Sequence, residues 1–193
     1  RGKQLFYLDE EGKEIVVLKI YNRVIFDELY QRNDLKREFH FTDEVDVKWI
    51  GHPNWFFRIS KFIMPFLTGK YVPKSYLLDK IEKLPSDLEN YVLKPLYSFA
   101  GAGVHINVTP EIIQNVVNKS NYILQEKVIY HPIIETKDVP AKCEIRIMLL
   151  HNEETDKIQV ISNLVRLSKG EMVGVKYNKD KTWVGGTTGF FEI

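Results

Sequence analysis

Cysteine is nearly absent from this chain: Cys143 is the single one among 193 residues, so no internal disulfide can form and a stapled secreted scaffold is excluded. No apolar run approaches the roughly 20 residues that a bilayer-spanning helix needs. Neither sign of charge dominates, because 27 Lys and Arg face 26 Asp and Glu for a net +1. Composition therefore makes no broad electrostatic case for nucleic acid or an anionic membrane as partner. The histidines His40, His52, His105, His131 and His151 have no H-x-x-x-H spacing among them and form no ligand set. Repeats and low-complexity linkers are missing too. A reducing, cytoplasmic setting is the default expectation. The chain opens at Arg1 without a methionine or a signal-like segment, and it is expected to be part of a longer polypeptide.

What is present is a length sufficient for one domain or two small ones with a core that needs no cross-links. The most informative stretch is Tyr91-Val92-Leu93-Lys94-Pro95, followed at once by Leu96-Tyr97-Ser98-Phe99-Ala100-Gly101-Ala102-Gly103-Val104. Val92 and Leu93 suit a buried strand, while Lys94 offers a compact charge to phosphate oxygens. Gly101 and Gly103 let backbone N–H groups approach an anion closely. The combination points to a polyphosphate held under a flexible flap; an ordinary glycine turn between strands is the competing reading. It is not the dinucleotide fingerprint, since Gly101-Ala102-Gly103-Val104-His105-Ile106 lacks the third glycine, nor the G-x-x-x-x-G-K-S/T loop.

Along the chain, residues 4–22 read as a β-hairpin with turn chemistry at Asp9-Glu10-Glu11-Gly12-Lys13. Residues 45–50 are strand-like. Ser60, Lys61, Phe62, Ile63, Met64 and Leu67 have helical spacing that Pro65 must start, kink or stop. The second half predicts strand 91–95, a loop, strand 104–108 and a helix from Thr109-Pro110-Glu111 through about Asn118, with an N-cap, a first-turn proline and a first-turn acid. Strands 122–129 and 143–150 follow. A hairpin then joins Ile158 to Ser168 with Met172 to Tyr177 through Lys169-Gly170, and Gly185-Gly186-Thr187-Thr188-Gly189 closes as loop. This order fits an α+β protein with mostly antiparallel sheet.

Four of these elements, taken together over residues 60–166, resemble the ATP-grasp superfamily in the family's own order. Ser60-Lys61 with Val72-Pro73-Lys74-Ser75 looks like the entry to its ATP-binding subdomain, and Val92-Leu93-Lys94-Pro95 with the 97–104 loop looks like its second lysine and phosphate flap. Leu124-Gln125-Glu126-Lys127-Val128 is similar to the adenine-reading hinge, and Glu144-Ile145-Arg146 to the acidic-x-Arg strand beside the reacting centre. Ile20-Tyr21-Asn22-Arg23 with Asp27-Glu28 resembles a segment of circularly permuted members related to glutathionylspermidine synthetase. The resemblance implies two subdomains with mainly antiparallel sheets enclosing a nucleotide cleft. Residues 1–59 would contribute to the C-terminal-type subdomain, 60–128 would form the small ATP-binding one, and 129–193 would form the larger one bearing the reacting-centre wall.

It also implies roles. Lys61 and Lys94 would gather the phosphates, with Ser98, Gly101, Ala102 and Gly103 closing over them and Phe99 sealing the flap. Glu126, Lys127 and Val128 would meet the adenine edge, and Val92 with Leu93 or Met148 its faces; the alternative for Glu126 is a buried ion pair. Glu135 is the carboxylate available to ribose hydroxyls. Strict alternation puts Glu144 and Arg146 on one face of strand 143–150, where two charges on an apolar strand cost desolvation unless paired or useful. That face reads as a cleft wall or as a structural ion pair. Arg166 is the candidate to stabilise a transferring phosphoryl group or tetrahedral adduct.

Magnesium is the least supported expectation. Asn22 and Asp27 are its candidate ligands and Asp9 a distant third, because Ile20 stands two before Asn22 where the family's E-x-N pair needs an acid. Glu192-Ile193 ends the chain where an asparagine would complete such a pair. The expected activity is an ATP- and Mg²⁺-dependent ligase that activates a small-molecule carboxylate as an acyl phosphate for attack by an amine or thiol. A non-catalytic nucleotide-binding module and a small-molecule kinase are the alternatives.

Overall fold

In the computed structural model the described residues are 1–99 and 101–190, with Asp27 described for its backbone alone. The chain divides into two compact units. Arg1–Ser98 with Gly103–Glu126 make the first, and Phe99–Ala102 with the residues from Lys127 onward make the second. Residues 1–59 cluster in the first unit. The architecture is mixed α+β with mostly antiparallel sheets, one of them curled into a half-barrel.

In the first unit, β1 (Phe6–Leu8) and β2 (Glu14–Val16) form an antiparallel hairpin. Its turn is set by the Asp9 carboxylate, which accepts from the Glu11 and Lys13 N–H groups at 3.1 and 2.9 Å. β3 (Lys19–Tyr21) leaves the hairpin to run parallel with β4 (Lys48–Ile50). Between and after them lie α1 (Phe26–Gln31) and the short α2 (Trp55–Arg58). Their aromatic residues stack into one group: Phe26 meets Phe41 at 5.2 Å between ring centres, and Phe56 meets Tyr97 at 6.1 Å.

The segment expected as helix at 60–67 is a 3-10 helix, Lys61–Phe66, with Pro65 inside it. Pro65 has no N–H to donate into an α ladder, which favours the tighter turn. β5 (Ser75–Leu77), β6 (Tyr91–Pro95) and β7 (Tyr122–Glu126) then make an antiparallel sheet in the order β5-β7-β6. Between the last two comes α3 (Pro110–Gln114), whose N-cap Thr109 accepts from the Ile112 N–H at 3.3 Å. The expected strand at 104–108 is reduced to one bridge, in which His105 exchanges both backbone bonds with Leu93 at 3.0 and 2.9 Å.

The core of this unit gathers Leu78, Leu88, Tyr91, Leu93, Val108, Ile113 and Leu124. Leu93 and Leu124 are fully enclosed, and each such side chain contributes about 1.5–3 kcal/mol. Register assigns the faces. Tyr91, Leu93 and Pro95 pair with Glu126, Leu124 and Tyr122, and these face α3 and the core. Val92 and Lys94 pair with Gln125 and Ile123 and take the other face.

The second unit is a four-stranded antiparallel sheet in the order β11-β10-β9-β8. These are β8 (Pro132–Ile134), β9 (Ala141–Asn152), β10 (Lys157–Ser168) and β11 (Gly185–Thr187). The partner of β10 in the long hairpin is therefore β9 and not 172–177, where the chain forms bends and a 3-10 turn at Val175–Tyr177. The glycine segment expected as loop is β11, held by pairing Gly186 with Arg166. The β9–β10 turn is fixed by Asn152, whose side-chain oxygen accepts from the Glu154 and Thr155 N–H groups at 2.9 and 3.1 Å. Towards that turn Ile145, Ile147, Leu149, Ile158 and Val160 are all exposed.

One buried side chain organises the loop after β10. The Asn178 carbonyl oxygen accepts from the Ser168 hydroxyl and from the Lys169 and Gly170 N–H groups at 3.1, 2.9 and 2.8 Å. Its amide donates to the Met172 and Gly174 carbonyls at 3.1 and 3.0 Å. The resulting clasp draws the Tyr177 carbonyl so close to Gly170 that a Cβ there would stand 2.2 Å from the oxygen.

Candidate functional site

Lys94 enters the site because β6 alternates: with Leu93 fully buried on one face, the lysine must point from the other. Its ammonium donates to the Gln125 side-chain oxygen at 2.5 Å. The Gln125 amide donates to the Ser75 hydroxyl at 2.7 Å, and that hydroxyl donates to the Pro73 carbonyl at 3.1 Å. This relay crosses all three strands and fixes where the amine sits. Burial first, and then the positive charge of Lys61, hold the Lys94 ammonium below the ordinary lysine value. Among the described residues Lys94 forms no ion pair.

Lys61 reaches the same neighbourhood from the 3-10 helix. Its ammonium donates to the Ser98 carbonyl at 2.7 Å and meets the Ser98 hydroxyl at 3.2 Å. Lys61, Lys94 and Ser98 thus belong to one electrostatic neighbourhood in the first unit. The rest of the expected flap is shaped by two left-handed glycines, Gly101 at φ +77° and Gly103 at φ +67°. A Cβ on Gly103 would lie 2.8 Å from the Pro95 ring, and one on Gly101 would lie 2.9 Å from the Met172 methyl. Between them the Ala102 N–H donates to the Phe99 carbonyl at 2.8 Å.

In the hinge segment the Glu126 N–H donates to the Lys74 carbonyl at 2.9 Å, and its carboxylate stands 4.0 Å from the Lys74 ammonium. The boundary between the two units falls at the next bond, so Lys127 and Val128 open the second unit.

The second unit carries the other charged set. Glu144 pairs with Arg166, and Leu164 with Arg146, across β9 and β10. Residues paired in this way share a face, so both arginines and the acid lie together. The bulge between Val160 and Ser162 precedes these pairs and leaves their alternation intact. Glu144 accepts from Arg146 at 2.7 Å and lies 3.6 Å from Arg166, which also donates to the Val173 carbonyl at 3.0 Å. Burial pushes the nearby Tyr130 phenol up, and the Glu144 charge adds to it while Arg146 opposes. Two guanidinium groups share one carboxylate here, a grouping compatible with both readings of this face, cleft wall and structural ion pair.

For magnesium, the Asn22 side-chain oxygen is engaged, accepting from the Val24 N–H at 3.0 Å. The Asp27 side chain and Glu192 lie outside the described residues. Among the described residues no three His, Cys, Asp or Glu side chains gather as a metal group, and none of the helices is long and apolar enough to cross a membrane. Glu135 lies well along the second unit, on the rim of a separate cavity.

Sequence reasoning did not pick out Gln125 or Asn178. Gln125 had a signal, since an amide within an apolar strand needs a partner when buried; Asn178 had none. No family model matches this chain, and comparison with curated proteins and with solved structures gave no match either.

Proposed function

We propose that the protein is an ATP-dependent ligase of the ATP-grasp type, joining a carboxylate to an amine or thiol. The observation that carries this reading is Lys94: an ammonium withdrawn from solvent, repelled by Lys61, and anchored, among the described residues, only to a neutral amide. An arrangement that raises the free energy of a cation in this way is relieved by a bound anion. A triphosphate supplies that charge, with Lys61, Lys94, Ser98 and the backbone N–H groups around Gly101, Ala102 and Gly103 as its holders.

ATP provides the phosphoryl group. A carboxylate oxygen forms the new P–O bond as the bond to the ADP oxygen breaks; the amine or thiol then bonds to the carbonyl carbon as phosphate leaves, and its proton passes to solvent. Arg146 and Arg166, held by Glu144, are placed in this reading at the oxygens on which charge develops. Glu126, Lys127 and Val128 are the proposed adenine edge. Among the described residues no group of three His, Cys, Asp or Glu side chains gathers around a cation, and no step is assigned to the metal.

The test is thermal stabilisation by ATP, followed by ADP release on a panel of carboxylates with amines or thiols. An unmoved melting curve, with Lys94→Met no different from the parent, overturns the proposal. The incomplete E-x-N pattern, with Ile20 two before Asn22, motivates a second reading, a nucleotide-binding module without catalysis. ATP binding with no ADP formed across the panel selects that reading, and a phosphorylated hydroxyl product identifies a kinase instead.

A further inference from the structure

A cavity of about 260 Å³ lies within the second unit between the strand end of β8 and β11. Its wall includes Ile134, Glu135, Thr136, Leu167 and Trp183, and the backbone of Gly185 and Gly186. The mouth of a curled sheet is a common place for ligands, and this volume falls just below the range of about 300–1,000 Å³ that holds drug-sized molecules. Alternation along β10 puts Leu167 on the face opposite Arg166. The cavity is therefore separate from the arginine face, and its occupant is independent of the ligase reading.

Four features of the wall bear on its occupant. Trp183 is held at φ +56°, a conformation that costs a bulky residue strain and persists only where its surroundings enforce it. The enforcement is visible. Asp138 accepts from the Lys169 ammonium and from the Thr136 hydroxyl, and on its other oxygen from the Thr182 hydroxyl at 3.0 Å. This one carboxylate thus pins residue 136, next to Glu135, and residue 182, next to Trp183. The Lys169 bond is the main cause that drives Asp138 far below the usual carboxylate range.

The Trp183 ring already attracts a cation, since the Lys137 ammonium lies 4.9 Å from its centre. Glu135, by contrast, has no hydrogen bond or ion pair among the described residues. An indole face and an unengaged carboxylate on one small cavity with aliphatic walls are complementary to a positive charge carried on a short carbon chain. That company suits a cation better than ribose hydroxyls.

We propose that this cavity binds a small organic cation, a primary ammonium or guanidinium on a short aliphatic chain, recognised by Trp183 and Glu135 with Lys137 as its built-in competitor. The experiment follows the indole N–H resonance of Trp183 in the intact chain, identified by its loss in Trp183→Phe, during titration with n-butylammonium chloride and with agmatine. The expected result is a saturable shift with both, and none with n-butanol or sodium chloride. Glu135→Gln should weaken binding roughly tenfold or more, the scale of one charge-assisted contact. Lys137→Met should tighten it several-fold by clearing the ring. All three positions are exposed at the surface, so the variants keep the fold. No saturable shift with either cation overturns the proposal, and so does a shift that Glu135→Gln leaves unchanged.

Discussion

Lys94 has a consequence for stability as well as for binding. Its folded pKa lies below the ordinary lysine value of 10.5, for burial and for the Lys61 charge. Between the two values the unfolded chain binds the extra proton, so this lysine makes the folded state more stable as pH rises through that window towards 10.5. The melting temperature of the parent minus that of Lys94→Met should therefore increase from neutral to alkaline pH. A flat difference would show that the amine is not disfavoured in the fold. The two flap glycines divide along similar local lines. Both adopt left-handed backbone, which costs a side-chain-bearing residue about 1–2 kcal/mol. At Gly103 a new Cβ meets the rigid Pro95 ring, whereas at Gly101 it meets the end of a flexible methionine. Urea denaturation should accordingly find Gly103→Ala the more damaging of the two.

At the scale of elements, the loop after β10 depends on one carboxamide. Asn178→Ala strips the acceptor from two N–H groups and a hydroxyl at once, and each buried donor left unmade costs about 1–3 kcal/mol. A loss above about 2 kcal/mol is expected, with the Lys169 and Gly170 amides becoming the ones whose hydrogen exchange accelerates most. Nothing in the sequence signals this clasp, because an asparagine in a polar stretch looks like any turn residue. The long strands were legible: apolar alternation marks β6, β7, β9 and β10, and Thr109-Pro110-Glu111 marks the start of α3. Where side chains carry no pattern the reading failed. Gly185-Gly186-Thr187 has no periodicity of its own and becomes a strand through pairing with β10. Residues 104–108 alternate well, yet they pair only at His105. Of the candidate site, the place of Lys94 on the face of β6 opposite Leu93 and the shared face of Glu144 and Arg146 could be read from alternation, but the Gln125 and Ser75 relay required the register.

Across the whole molecule, the proposed phosphate lysines belong to the first unit and the arginine pair to the second, while the chain passes between the units at 98/99, 102/103 and 126/127. At about one hundred times its Kd, ATP should add about 2.7 kcal/mol, a rise of roughly 5 to 10 °C for a chain of this size. Calorimetry with and without ATP checks this rise, and an unmoved transition would count against nucleotide binding. The outer halves of β9 and β10 bear on how the protein behaves in bulk. Leu149 and Val160 are paired neighbours, and both are largely open to water. Excluded salts strengthen the tendency of such apolar area to leave water, so ammonium sulfate should precipitate this protein early in a fractionation, and Leu149→Lys should postpone the cut.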